Sequence, residues 1–187
     1  AAYLAPGLGI AGGNLERDLA TVLRMGADVG TSTDVVAAYL QNSGHMKEWA
    51  YRALERTVLR AVKQPRIGIL GLAYKQDTHS TKNSPSLALI ERLKGVALVA
   101  HDPVVPGSAV PGVTVAGTPE AVADGADAVV LMTPWPLYRS LDLAGLAARM
   151  RGRIVIDPYR LVDAGAAAKA GLVVHSIGRG ALQGTGS

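Results

Sequence analysis

The 187-residue chain contains no cysteine and no phenylalanine. Without a thiol there is no disulfide, no thiolate metal site and no cysteine nucleophile, and the composition fits a reducing compartment, read here as cytoplasmic. Long apolar runs are also missing, so no segment is long enough to cross a bilayer as a helix and no membrane partner is expected. The start, AAYLAPG, has neither a basic n-region nor an apolar h-region, and it lacks an initiator Met, so a piece or trimmed form of a longer protein is expected. The net charge of +4 comes from 19 Lys and Arg scattered along the chain, with no phenylalanine to stack bases. The basicity therefore reads as solvated surface and no nucleic-acid partner is expected. His45, His79, His101 and His175 lie apart without ligand spacing, so no metal site is expected.

What is present describes a globular chain: 49% apolar and 18% charged residues are enough for a real core. From Leu15 to about Val62, apolar residues recur at three- and four-residue steps, and the pattern predicts two helices. The first ends near Gly26 to Gly30. The second is capped by Ser32 or Thr33, with Asp34 in its first turn, and runs toward Val62 with a possible kink at Gly44. A helix of that length would be roughly 45 Å long, so its apolar stripe is expected to meet a further domain or another copy of the chain. After Gln64-Pro65, strands and helices alternate. RIGILGLAY, VALVAHDP, VTVA, DAVVLMT, RIVIDPY and LVVHSIG read as strands, and SPSLALIERLKG, TPEAVADGA and LDLAGLAARM as helices. Strands without polar alternation are buried on both faces, which predicts an α/β fold with a doubly wound, mainly parallel Rossmann-like sheet behind the helical segment.

Three stretches carry candidate chemistry. PGLGIAGGNLERD crowds glycine and alanine around Asn14; such a turn lets backbone approach an anionic or carbonyl-bearing guest, although a flexible connector has the same composition. GLAYKQDTHSTKNSP sets Lys75 and Lys82 among hydroxyls at the end of the first strand, which suits a phosphate or sugar or, equally, a solvated polar loop. Gly68 to Ala73 has the outward form of a dinucleotide fingerprint with Asp102 as its ribose acid. The spacing fails, and Asp102 precedes Pro103, where turn chemistry accounts for it.

GLAYKQDTHSTKNSPSLALIERLKG resembles the G-x-A/S-Y-K … S-P segment of the UDP-glucose/GDP-mannose dehydrogenase family, and AVVLMTPWPLYRSLD is similar to that family's T-x-W-x-E-F/Y. GLGIAGGNLERD falls without a gap onto its G-x-G-x-G-G-x-C-x-x-K-D, so the likeness runs from Gly7 to the terminal IGRG. The resemblance implies an N-terminal NAD-binding Rossmann domain absent from this chain, a helical middle that dimerises (residues 1–63) and a nucleotide-sugar-binding α/β domain (residues 64–187). It places Tyr74 and Lys75 on the nucleotide, Gly9, Ile10 and Gly12 against the sugar with Arg160 nearby, and Lys82 on the cofactor NAD. Asn14, Arg17 and Asp18 would flank the reacting carbon, Asp18 ordering a water or proton path.

The chain departs from the family at the positions that matter for chemistry. The family cysteine, which holds an aldehyde intermediate as a thioester, is Asn14, and an amide has neither the nucleophilicity nor a suitable pKa. The neighbouring lysine is Arg17. D-x-R becomes Ser80-Thr81-Lys82, one charge in place of a planar fork. D-G-R-N becomes Asp157-Pro158-Tyr159-Arg160, so Tyr159 stands where the sugar-contacting arginine is, with Arg160 one residue over. The resemblance therefore implies part of an NDP-sugar dehydrogenase that oxidises a CH–OH group with NAD and is limited to two electrons. The alternative is a non-catalytic nucleotide-sugar-binding or dimerisation module of the same origin. Expected partners are a nucleotide diphosphate sugar and a second copy through residues 32–62.

Overall fold

The computed structural model describes residues 7–179; the expectations about the first six residues and the end of the IGRG stretch lie outside them. Helix α1 (Leu15–Val29) ends where Gly30 takes a left-handed φ of 67°, as a glycine just past a helix does without strain. Gly26 is buried under the side chain of Thr33, which lets the chain double back into α2 (Asp34–Lys47). Thr33 holds the N-cap position without a side-chain bond, while Ser32 Oγ accepts from the Asp34 N–H at 3.4 Å.

The helical pattern breaks at Glu48, not at Gly44. The Glu48 N–H reaches the Gly44 carbonyl only at 3.4 Å, and Glu48 sits at ψ −4°, opening the ladder for one residue before α3 (Trp49–Leu54) resumes. A π-turn at Glu55–Leu59 then leads to the sheet. The expected stripe divides at this break. Ala50, Ala53, Leu54 and Val58 are buried in the chain's own core, so this half needs no second molecule. Val35 and Tyr39 on α2 stay exposed, together with Val22, Met25 and Val29 on α1.

Six parallel strands follow: β1 (Arg66–Leu70), β2 (Ala97–His101), β3 (Thr114–Val115), β4 (Ala128–Leu131), β5 (Ile154–Ile156) and β6 (Val173–His175), in the order β3-β2-β1-β4-β5-β6. That order is doubly wound, and its direction of winding reverses between β1 and β4. Helix α4 (Pro85–Arg92) meets α3, which also reaches β5, and α5 (Leu143–Arg149) meets α6 (Ala164–Lys169). α4 starts as expected, with Ser84 accepting from the Ser86 N–H and Pro85 in the first turn.

Two further elements differ from the sequence reading. TPEAVADGA forms only a 3₁₀ turn at Glu120–Ala123, pressed so closely on β1 that a Cβ on Gly68 would lie 2.5 Å from the Val122 carbonyl oxygen. α6 was not expected at all, although Asp163 caps it by accepting from Ala166 N–H at 2.7 Å.

The strand ends are held by buried carboxylates. Asp102 accepts from the N–H groups of Leu72, Ala73, Val104 and Val105 and from Trp135 Nε1, at 2.7 to 3.1 Å. Burial pushes its pKa up, but the four backbone donors outweigh that and hold it below the usual carboxylate range. A depressed carboxyl stabilises the fold above the unfolded-state pKa, and that stability is lost as pH falls through the folded one. Asp102→Asn is therefore expected to cost about 2–4 kcal/mol in urea unfolding at neutral pH, because an amide faces some of these donors with its own N–H groups. The same variant should flatten the loss of stability below about pH 4. An unchanged midpoint and an unchanged acid limb would show that the carboxylate does not hold the strand ends.

Candidate functional site

The turn after β1 is closed by the protein itself. The Gly71 N–H donates to the His101 carbonyl at 2.8 Å, and those of Leu72 and Ala73 go to Asp102. The carbonyls of Gly71, Leu72 and Ala73 accept from the hydroxyls of Ser86, Ser84 and Thr133 at 2.6 to 2.8 Å. No N–H of this turn is left for a pyrophosphate, and Asp102 has no free oxygen for a ribose. The residues of this domain do not fit a dinucleotide at β1, in agreement with the failed fingerprint spacing.

The crevice opens one step further out, where the loops leaving β1 and β4 part. A cavity of about 410 Å³ lies there, lined by Gly7, Leu8, Gly9 and Ala11 on one wall and by Tyr74, Lys75, Pro134, Arg139, Tyr159 and Arg160 among the others. Lys75 extends beside the Tyr74 ring, its Nζ 5.8 Å from the centroid. Tyr74 is held by its N–H, which donates to the Ser80 carbonyl at 3.0 Å.

The glycine-rich stretch forms a two-sided ribbon. Ile10 N–H donates to Ser43 Oγ at 2.8 Å and Gly12 N–H to the Lys82 carbonyl at 3.1 Å, so residues 10 and 12 are tied to the protein. Gly9 and Ala11 line the cavity, and their N–H groups have no protein acceptor among the described residues. Two glycines are sterically required. Gly9 (φ 82°) would place a Cβ 2.5 Å from the Ser43 carbonyl oxygen, and Gly12 (φ 78°) would place one 3.0 Å from the Tyr74 ring.

Of the residues singled out in the sequence, Gly9, Tyr74, Lys75 and Arg160 meet around one cavity. Arg160 is in the left-handed region (φ 56°), and its Nη2 donates to the Ile177 carbonyl at 2.7 Å. Asn14, Arg17 and Asp18 lie at the head of α1, away from the cavity wall. Asn14 is exposed at the N-cap without a side-chain cap bond, and Arg17 pairs with Asp18 at 2.8 Å, both largely exposed. The Lys82 side chain lies against Gly13, where any Cβ would collide with it.

Arg139 and Tyr159 were not among the expected ligands. Arg139 lies just beyond the TPWP stretch that follows β4, and a cation past a strand-end turn is the signal that points to it. The Tyr159 hydroxyl donates to the Met132 carbonyl at 3.1 Å, while the ring packs against Gly7. Burial, reinforced by the Asp157 charge, raises its pKa, so it acts as a neutral wall. A second, smaller cavity of about 350 Å³ lies between Arg160, Asp163, Ser176 and Arg179.

Residues 68–164 match the UDP binding domain of the UDP-glucose/GDP-mannose dehydrogenase family. The chain is similar to the UDP-glucose 6-dehydrogenase TuaD of Bacillus subtilis, 28% identical over 189 residues that cover 98% of this chain and 41% of that protein. Among solved structures it is similar to a UDP-D-ManNAc dehydrogenase from Pyrococcus horikoshii, at 29% identity and a TM-score of 0.76, covering 94% of this chain and 40% of that one. It is also similar to an NDP-N-acetyl-D-galactosaminuronic acid dehydrogenase from Methanosarcina mazei, at 25% identity and a TM-score of 0.81, covering 98% and 40%. The chain thus spans less than half the length of these relatives.

The ribbon's geometry sets a comparison between two glycines. Gly30→Ala meets open space and bears only the left-handed penalty, about 1 kcal/mol. Gly9→Ala must in addition displace the Ser43 backbone, so chemical denaturation should show a clearly larger loss for it. Equal losses would mean that the ribbon does not press on α2.

Proposed function

The chain belongs to the UDP-glucose/GDP-mannose dehydrogenase family, whose UDP-binding domain it carries at residues 68–164, and from this premise we propose that the 410 Å³ cavity receives the diphosphate and sugar of a UDP-sugar. The observation that carries the reading is that Lys75, Arg139 and Arg160 line one cavity with Gly9 and Ala11, whose N–H groups have no protein acceptor among the described residues, and that no carboxylate among the described residues lines it. Cations and backbone donors match phosphate and hydroxyl oxygens, while Tyr74, Tyr159 and the neighbouring prolines give flat apolar walls.

In the whole protein the reaction would be oxidation of a CH–OH group of that sugar, with NAD accepting the hydride. NAD would be held chiefly by a Rossmann domain beyond these residues, with Lys82 the cation this chain offers toward it. The residues of this chain bind and orient the sugar, and Asp18 at the head of α1 is the candidate for ordering a water or taking a proton. Asn14 presents no thiolate, so no thiohemiacetal forms on this chain and oxidation stops at the aldehyde or ketone. A second reading, a binding module without chemistry, is favoured by the Arg17–Asp18 pair, in which each charge neutralises the other at the surface. Counting NADH per sugar consumed by the whole protein, with the product identified by mass, separates the readings. One NADH and a carbonyl product support the two-electron enzyme, two with a uronic acid refute the limit, and tight binding without NADH favours the module.

Binding itself is testable on this chain. Calorimetry with UDP should show Kd rising about tenfold on Lys75→Ala, the loss of one charge-assisted contact to phosphate. No binding of UDP or any UDP-sugar by the unaltered chain would sink the proposal. We also propose a homodimer through residues 32–62 in which the α2 part makes the apolar contact, through Val35 and Tyr39, 66% and 59% exposed, and the buried part beyond Glu48 does not. Sedimentation should report a dimer at micromolar concentration that Tyr39→Glu dissociates; a strict monomer would exclude this interface.

A further inference from the structure

Three side chains that do not line the cavity, Ser43, Lys47 and Asn83, converge behind the ribbon. Lys47, in the last turn of α2, is largely buried and donates from Nζ to both oxygens of Glu16, at 3.2 and 3.3 Å, and to Asn83 Oδ1 at 2.8 Å. Asn83 in turn donates from Nδ2 to the Gly12 carbonyl at 3.2 Å and to Glu16. Ser43, one turn earlier on α2 and 6% exposed, takes the Ile10 N–H. Asn83 sits at a φ of 52°, a backbone that asparagine tolerates better than most residues, and this conformation aims its amide at the ribbon. The ammonium's donors and the amide's oxygen and nitrogen are thus all engaged.

We infer that Ser43, Lys47 and Asn83 form a clamp that fixes which side of the ribbon faces the ligand. The clamp holds the even-numbered residues: Ile10 through Ser43, and Gly12 through Asn83 and the Lys82 carbonyl. Ile10 and Gly12 give their N–H groups to the protein, while Gly9 and Ala11 line the cavity and have no protein acceptor for theirs among the described residues, so tying 10 and 12 leaves the N–H groups of 9 and 11 to the ligand. Leu8, 1% exposed, anchors the start of the ribbon in the core, but from residue 11 to residue 13 alanine and two glycines offer little side chain with which to hold an orientation, so the fixing there comes from outside. These three are positioning residues, and they place the donors that the site reading above assigns to the sugar, on which this inference rests.

The test uses three variants of the chain. Lys47→Met keeps the length and removes the charge, Asn83→Gly keeps the left-handed backbone and removes the amide, and Lys47→Arg is the conservative rescue. Hydrogen–deuterium exchange is followed on the peptide covering residues 8–14, with β1 as the internal control. Lys47→Met and Asn83→Gly should each speed exchange in the ribbon about tenfold, the worth of roughly one net hydrogen bond, and leave β1 unchanged. Lys47→Arg should restore much of the protection. Calorimetry should show UDP-glucose weakened more than UDP, a split that a general loss of stability would not produce. Unchanged ribbon exchange in both variants, or equal weakening of the two ligands, overturns the clamp. If the unaltered chain binds neither UDP nor UDP-glucose, the site reading fails, and the exchange result alone still decides whether the clamp exists.

Discussion

The carboxylate of Asp102 is the point on which the arrangement of the site depends. It gathers N–H groups from the turn after β1, the turn after β2 and the Trp135 indole beyond β4, so the loops on both sides of the sheet's reversal are tied to one charge. That placement has a chemical consequence. In a dinucleotide-binding sheet the first turn keeps its N–H groups for a pyrophosphate. Here they are used internally, and the cavity lies further out, at Tyr74, Lys75 and the facing loops.

A wall made of backbone supplies the other side of the cavity. Glycine lets the ribbon approach Ser43 and Tyr74 closely; buried Leu8 anchors its start, and polar side chains from α2 and from the loop after β1 hold the residues that follow. The helical segment and the α/β domain are consequently joined through hydrogen bonds at the site. Asn14 stands at the end of this ribbon, at the N-cap of α1, and does not line the cavity.

Much of this was legible in the sequence, for physical reasons that differ by element. Runs such as AVVL and RIGIL are apolar on both faces, and that pattern predicts a buried parallel strand wherever it occurs. The Ser84-Pro85 cap and the Gly30 stop are local chemistry and appear where the residues place them. The 120–123 turn was misread as a helix because its compression comes from contact with Gly68, more than fifty residues earlier, which no local pattern reports. α6 was missed although Asp163 followed by alanines is a readable start. Around the cavity, Lys75 and the ribbon stand out in the sequence by strand-end position and glycine content, and Tyr74 through the family resemblance. Lys47, Ser43 and Asn83 do not, because their roles exist only once α2, the ribbon and the loop after β1 are packed together.

The central claim is that ligand binding occurs between the ribbon and the loops leaving β1 and β4. Titrating the ¹⁵N-labelled chain with UDP-glucose and following amide shifts tests it residue by residue. The account predicts that the largest shifts fall on Gly9, Ala11, Tyr74 and Lys75, with the Leu72 and Ala73 amides, bound to Asp102, moving little. Shifts confined to the smaller cavity around Asp163, Ser176 and Arg179, or centred on Leu72 and Ala73, would contradict it.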